Sequence, residues 1–297
     1  MKTTVAAVAT AGVLMLDAYV AAHGYVQQIL LGDNLVEAWN PYKDPQKDPA
    51  VQKITRHFLD NGPVTDGEFT TDAITCNYGA KADASNNVPV DVTAEVPAGS
   101  KVTFFWTDWQ SDHPGPIMTY LADCQGPCSA FSGATGDVWV KIHQAGYDPD
   151  QADGTPWASK RLPEQNSTWT VTLPASLKPG EYILRHEILG LQRTNTDGNL
   201  AQFYPGCHQI TVTGSGSTAL PAGVAIPGAY QPDDTTSNSF DDDDDVDVDV
   251  DTDVDVNVDP IFLEYRDISP ENPYTAPGGQ VWGDDGWSDV QNMVGTQ

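Results

Sequence analysis

Positive charge is scarce in this sequence: 14 Lys and Arg stand against 42 Asp and Glu, giving a formal net charge of -28 over 297 residues. Nucleic acid and anionic membranes both favour a positive surface, so neither is expected as a partner. A neutral polymer remains acceptable. Long helical periodicity is missing too, which argues against an all-α fold. The apolar run Val5 to Leu16 is shorter than the roughly 20 residues a membrane span requires, and Met293 to Gln297 is no hydrophobic tail of the kind that precedes a lipid anchor. Cysteines number only four. With a single close pair among them, a zinc site built from cysteine is not expected. Asp is abundant, yet no two carboxylates stand out as the acid and the nucleophile or base of a glycoside hydrolase.

What is present begins with a targeting segment. Lys2, the apolar run and the small residues Val20 and Ala22 fit a secretory signal peptide over 1–22, cut after Ala22. The protein is therefore expected outside the cell, with His23 as the first mature residue. A terminal histidine offers its α-amine and imidazole Nδ1 together, closing a six-membered chelate ring on a metal. The amine has a pKa of about 7.7–8.0, so protons compete less strongly there than at a lysine.

Short alternating stretches follow, among them 101–106, 168–173 and 182–188. Turn signals such as Pro97-Ala98-Gly99 and Lys178-Pro179-Gly180 separate such stretches, a pattern that predicts an all-β sandwich. An even cysteine count in a secreted chain favours disulfides, with three pairings possible. The turn Gln125-Gly126-Pro127 can bring Cys124 to Cys128, which leaves Cys76 with Cys207. Asn166-Ser167-Thr168 is an N-glycosylation sequon at Asn166.

A metal gripped by one terminal histidine would exchange readily, so a second nitrogen is needed. His113 lies in Asp112-His113-Pro114-Gly115-Pro116, after the aromatic run Phe104 to Trp109, where it would be exposed and stiffly held. His186 sits inside an apolar strand and reads as a hydrogen-bonded core residue. Near the end of the candidate core, Gln202-Phe203-Tyr204 places Gln202 and Tyr204 on one face of a strand.

These pieces, in order behind the signal peptide, resemble the fungal lytic polysaccharide monooxygenases of auxiliary-activity family nine, formerly glycoside hydrolase family sixty-one. The resemblance runs through His23-Gly24-Tyr25-Val26, His113-Pro114-Gly115-Pro116, Met118-Thr119-Tyr120-Leu121, Trp139-Val140-Lys141-Ile142, 182–188 and 202–207, nearly the whole mature chain. It implies an immunoglobulin-like or fibronectin-like β-sandwich whose long loops form a flat copper-bearing face. One copper ion would take the amine and Nδ1 of His23 and the Nε2 of His113 in a T-shaped set, with Tyr204 axial and Gln202 steering oxygen. Three nitrogens with open positions also suit copper on chemical grounds. Tyr230 matches a surface tyrosine that stacks on sugar, and Tyr42 is a second candidate. The implied activity is oxidative cleavage of β-1,4-glucan, cellulose foremost, at C1 and/or C4 by a monomeric enzyme using O2 or H2O2 and an external electron donor. A non-catalytic copper-binding or delivery protein and a cell-wall carbohydrate-binding protein are the alternatives.

The sequence departs from the family in two places. A histidine usually precedes the Gln-x-Tyr triplet; counting back from Gln202 meets Arg193, and one inserted residue points to Gln192. Further on, 233–259 carries thirteen Asp and no Lys or Arg, leaving -15 for the rest of the chain. It reads as a disordered acidic insertion, at about 233–258, in a loop of a copper monooxygenase domain spanning 23–283, ahead of a short tail over 284–297. The competing reading makes it a linker from a core ending near Gly214. No cysteine follows Cys207, which argues against the small disulfide-rich cellulose-binding module often appended in this family.

Overall fold

The computed structural model describes residues 23–47, 51–65, 68–79, 86–109, 112–150, 155–192, 201–230, 274 and 276–288. The expected signal peptide, the acidic insertion at about 233–258 and the tail from residue 289 lie outside the described residues.

Eleven strands are described: β1 (Val26–Leu31), β2 (Asn34–Glu37), β3 (Ala94–Pro97), β4 (Lys101–Trp106), β5 (Ile117–Asp123), β6 (Val140–Ala145), β7 (Thr168–Thr172), β8 (Gly180–Gly190), β9 (Gln202–Thr213), β10 (Val281–Gly283) and β11 (Gly286–Ser288). They form a four-stranded sheet ordered β2-β1-β4-β7, a five-stranded sheet ordered β3-β9-β8-β5-β6, and the hairpin β10-β11. All pairs are antiparallel except β3 with β9. This is the expected β-sandwich.

The two sheets meet over Ile29, Val102, Phe104, Trp169 and Val171 from one side and Ile117, Leu121, Leu184, Ile188 and Ile210 from the other. On β4 the burial alternates as the pleat requires, with Val102, Phe104 and Trp106 inward. Strands β6 and β8 do not alternate and are buried almost throughout. The reason is a second apolar cluster on the outer face of the five-stranded sheet, where Phe69, Ile74, Trp139, Tyr230 and Tyr274 cover Met118, Tyr120, Ile183 and Phe203. A sheet covered on both faces gives continuous apolar strands.

Two disulfides hold this layer: Cys76–Cys207 and Cys124–Cys128, the pairing anticipated from the turn at Gln125. The first spans 131 residues of chain, and closing so long a loop restrains the unfolded state by about 4–5 kcal/mol. The chain also packs after the acidic stretch. Lys141 Nζ, buried, donates to the carbonyls of Ala276 (3.2 Å), Pro277 (2.8 Å) and Gly279 (2.7 Å). Asp284 accepts from the backbone N–H groups of Ala175 and Ser176 at 3.0 and 2.8 Å. Gly283, at the expected domain boundary, pairs with Gly286 in the hairpin of β10 and β11.

Candidate copper site

The site lies at one end of the sandwich, where β1 begins, β4 and β8 end and β9 begins. His23 precedes β1. Tyr25 fastens this entry to the end of β4: its N–H donates to Thr107 Oγ1 at 3.2 Å, and its carbonyl accepts from Thr107 N at 2.9 Å. Gly24 lies flat on Trp109, and a Cβ there would stand 3.0 Å from both the Trp109 ring and Thr107 Oγ1. The Asn61 side chain donates to the His23 carbonyl at 3.1 Å.

His113 comes from the loop between β4 and β5, which is tied down from His113 to Pro116. Ser159 Oγ donates to the His113 carbonyl at 2.6 Å, Leu191 N to Pro114 O at 2.8 Å and Leu189 N to Pro116 O at 3.1 Å. Between these bonds, Gly115 passes so close to β8 that an added Cβ would sit 1.8 Å from Leu189 O. Asp112 Oδ1 stands 2.6 Å from His113 Nδ1. A carboxylate there accepts the Nδ1 proton and leaves the Nε2 lone pair for a metal.

The structure brings His23, His113 and Tyr204 together. The two histidine rings are 6.0 Å apart at 82°, and the Tyr204 ring is 6.0 Å from His23 and 6.2 Å from His113. Trp109 packs edge-on against Tyr204 (5.1 Å) and against His113 (5.7 Å), with its backbone N–H on Ser167 Oγ at 3.2 Å. Burial, and secondarily Asp112, raises the Tyr204 pKa well above that of an ordinary phenol. Its hydroxyl keeps its proton and donates it to Gln202 Oε1 at 2.9 Å. Gln202 Oε1 accepts a second hydrogen bond from Gln192 Nε2. Partial burial, then the neighbouring His113, lowers the His23 pKa, so the imidazole is more readily available in the neutral form that binds metals.

Two imidazoles suffice as the side-chain nitrogens. Among the described residues no set of three or more His, Cys, Asp and Glu gathers to hold a metal. A third nitrogen would be supplied by the main-chain amine of a chain beginning at His23. Two imidazoles, an amine and a neutral phenol make a donor set that fits copper. The other histidines are engaged in packing: His57 stacks on Trp39 at 3.7 Å, His143 accepts from Trp169 Nε1 at 3.0 Å, and the Nδ1 atoms of His186 and His208 pair with Thr119 and Thr55 at 2.8 and 2.9 Å.

The two tyrosines expected to meet sugar differ. Tyr42 is exposed by about half (51%), and its hydroxyl donates to Asn61 Oδ1 at 2.6 Å, which links it through Asn61 to the His23 carbonyl. Tyr230 is 1% exposed, and the expectation for it is corrected. Its hydroxyl bonds Glu187 and stands 3.2 Å from that of Tyr120, while its ring stacks on Phe203 at 4.9 Å. It anchors the loop before the acidic stretch to the outer face of the five-stranded sheet and has no surface for a ligand. Asn166 is exposed, in a left-handed turn with φ 53°. Asp112, Asn61 and Trp109 are site residues that sequence reasoning did not single out. Only Asp112 carried a signal, as the acid next to His113.

Comparison with known proteins agrees with this geometry. The family model described as Auxiliary Activity family 9 (formerly GH61) matches residues 23–244. AA9 family lytic polysaccharide monooxygenase C of Geotrichum candidum is 44% identical over 223 residues, covering 74% of this chain and 39% of that protein. Monooxygenase B of the same species is 40% identical and is covered over 57% of its length, so the chain spans about half the length of these two relatives. Among solved structures, the extended catalytic domain of H. jecorina LPMO9A matches with a TM-score of 0.66 at 30% identity, covering 87% of this chain and 90% of that one. A glycoside hydrolase family 61 member, Cel61B from Hypocrea jecorina, matches with a TM-score of 0.67 at 29% identity, over 88% of this chain and all of that one. With the family model aligned from His23 through both strands that carry the site, the chain belongs to auxiliary activity family 9.

Proposed function

We propose that the chain, trimmed to begin at His23 and secreted, is a copper-dependent lytic polysaccharide monooxygenase that cleaves a β-1,4-glucan such as cellulose at C1 and/or C4. The carrying observation is the meeting of the His23 and His113 rings, 6.0 Å apart and nearly perpendicular, in front of a Tyr204 whose hydroxyl is held by Gln202. The amine and Nδ1 of His23 and the Nε2 of His113 would hold the ion, with the Tyr204 oxygen as a weak fourth donor. Bound copper would supply one-electron chemistry and activation of O2 or H2O2, drawing on an external reductant.

The protein's own groups do the rest. Asp112 holds His113 in the tautomer whose Nε2 lone pair is free. Tyr204 stays a neutral phenol, and Gln202 accepts its hydrogen bond. Exposed Tyr42, tied through Asn61 to the His23 carbonyl, offers a ring for a sugar face beside the site. A packed polymer chain needs such an open surface, because a closed pocket would not admit it. The pair Gln202 and Tyr204 favours the enzyme over a copper carrier, which has little use for oxygen-steering groups.

The test is to incubate copper-loaded protein beginning at His23 with cellulose and ascorbate. Aldonic acids or C4-oxidised oligosaccharides in the mass spectrum support the enzyme. Tight copper binding without oxidised sugars would favour a carrier, and sugar binding independent of copper would favour a carbohydrate-binding protein.

A further inference from the structure

We infer that Gln192 is a positioning residue that sets which way the Gln202 amide points, keeping its carbonyl on Tyr204 and Gln192 and its NH2 free to donate. This rests on the copper-site reading above. The Gln202 carbonyl oxygen accepts two hydrogen bonds, from Tyr204 Oη and from Gln192 Nε2. An amide oxygen has two lone pairs, so both are used. The Gln202 Nε2 makes no hydrogen bond with a described residue. It is the end of the side chain left free to donate.

The opposite polarity is conceivable, because an amide can turn over and present its nitrogen where its oxygen was. Two neighbours oppose it. A turned Gln202 would point N–H groups at Tyr204 and Gln192, leaving the buried Tyr204 proton without its acceptor. It would also force Gln192 to turn and bring its own Nε2 beside Gly190, where Gln192 Oε1 now lies in a buried and unpartnered position. A buried donor left unpaired costs more than a carbonyl in the same place. Gln192 thus acts through its N–H on an orientation, at the position that one inserted residue would match to the family's histidine. Being an amide, it donates but has no proton to pass on.

The experiment compares Gln192→Glu, Gln192→Met and Gln192→His with the parent at pH 8. At that pH the glutamate carboxylate only accepts, so Gln202 turns its NH2 inward. Gln192→Met removes the donor without reversing polarity, and Gln192→His keeps an N–H. In the copper-free protein, solvent exchange of the Gln202 side-chain amide protons, read by NMR, slows at least tenfold for Gln192→Glu and stays near the parent rate for Gln192→His. In the copper-loaded protein, cellulose oxidation by Gln192→Glu falls at least tenfold, Gln192→Met lies between, and Gln192→His stays within threefold of the parent. Copper affinity stays within twofold throughout. Unchanged amide exchange in Gln192→Glu, or equal losses in all three variants, would overturn the inference. Failure of the parent itself to bind copper would instead sink the copper reading, and the NMR arm would still decide the amide's direction.

Discussion

Tyr42 and Tyr230 both sit in loops, next to proline-rich or glycine-rich turns, and the sequence offered either as a sugar platform. Burial separates them: one ring is half exposed, and the other is closed in by Phe203, Glu187 and Tyr120. Replacing Tyr42 with Ala should weaken retention on cellulose several-fold, about 1 kcal/mol for one aromatic contact, and leave the melting temperature unchanged. Tyr230→Phe should do the reverse. It strands a hydrogen bond of the buried Glu187 at a cost of about 1–3 kcal/mol, seen in urea melts, with binding isotherms on cellulose unaltered. Tighter dependence of binding on Tyr230 than on Tyr42 would count against this assignment. The sequence singles out His23 and His113 through local signals, an expected cleavage site and a stiff Pro-Gly loop, and the structure places their rings 6.0 Å apart. The covering of Tyr230 was not legible there, since it comes from residues 120, 187 and 203, far away in the chain.

The loop between β4 and β5 is the element on which the site depends. Gly115 admits no side chain, because β8 runs directly behind it at Leu189. Gly115→Ala should push the loop off β8, break the Leu189–Pro116 and Leu191–Pro114 hydrogen bonds and displace His113. We expect a stability loss of at least about 1–3 kcal/mol, as for other overpacked sites, together with a copper affinity lowered tenfold or more by calorimetry. A variant with native affinity would show that His113 is positioned by Asp112 and Ser159 alone. Strand periodicity was readable on β4 and β7, where one face is inward and the other partly open. On β8 it was not, because the second apolar cluster removes the polar face that alternation needs.

Across the whole molecule, buried histidines make the fold sensitive to acid. Burial lowers His143 to about 4, with Arg161 adding to the effect, and lowers His208 to about 3; His186 is depressed by burial and by its histidine neighbours. Unfolded histidines take up protons near pH 6.5, whereas these rings stay neutral in the folded chain. The unfolded state therefore binds more protons between pH 6.5 and about 4, and stability falls as pH drops through that window. Each pKa unit of difference is about 1.4 kcal/mol, so the fall should amount to a few kcal/mol in urea melts at pH 7 and pH 4. His208→Gln should flatten the curve; an unaltered slope would mean that other groups govern it. The sandwich itself was visible in the sequence through its short strands and turn signals. How the chain after the acidic stretch packs, with Lys141 collecting three carbonyls of the returning segment, was not, since that depends on a contact across more than 130 residues. In the proposed copper site the third nitrogen is available only if the chain begins at His23. The most direct test is a Cu(II) titration, by calorimetry against a competing chelator, of protein starting at His23 and of protein retaining Ala22. The account predicts at least a hundredfold tighter binding for the former; equal affinity would contradict it.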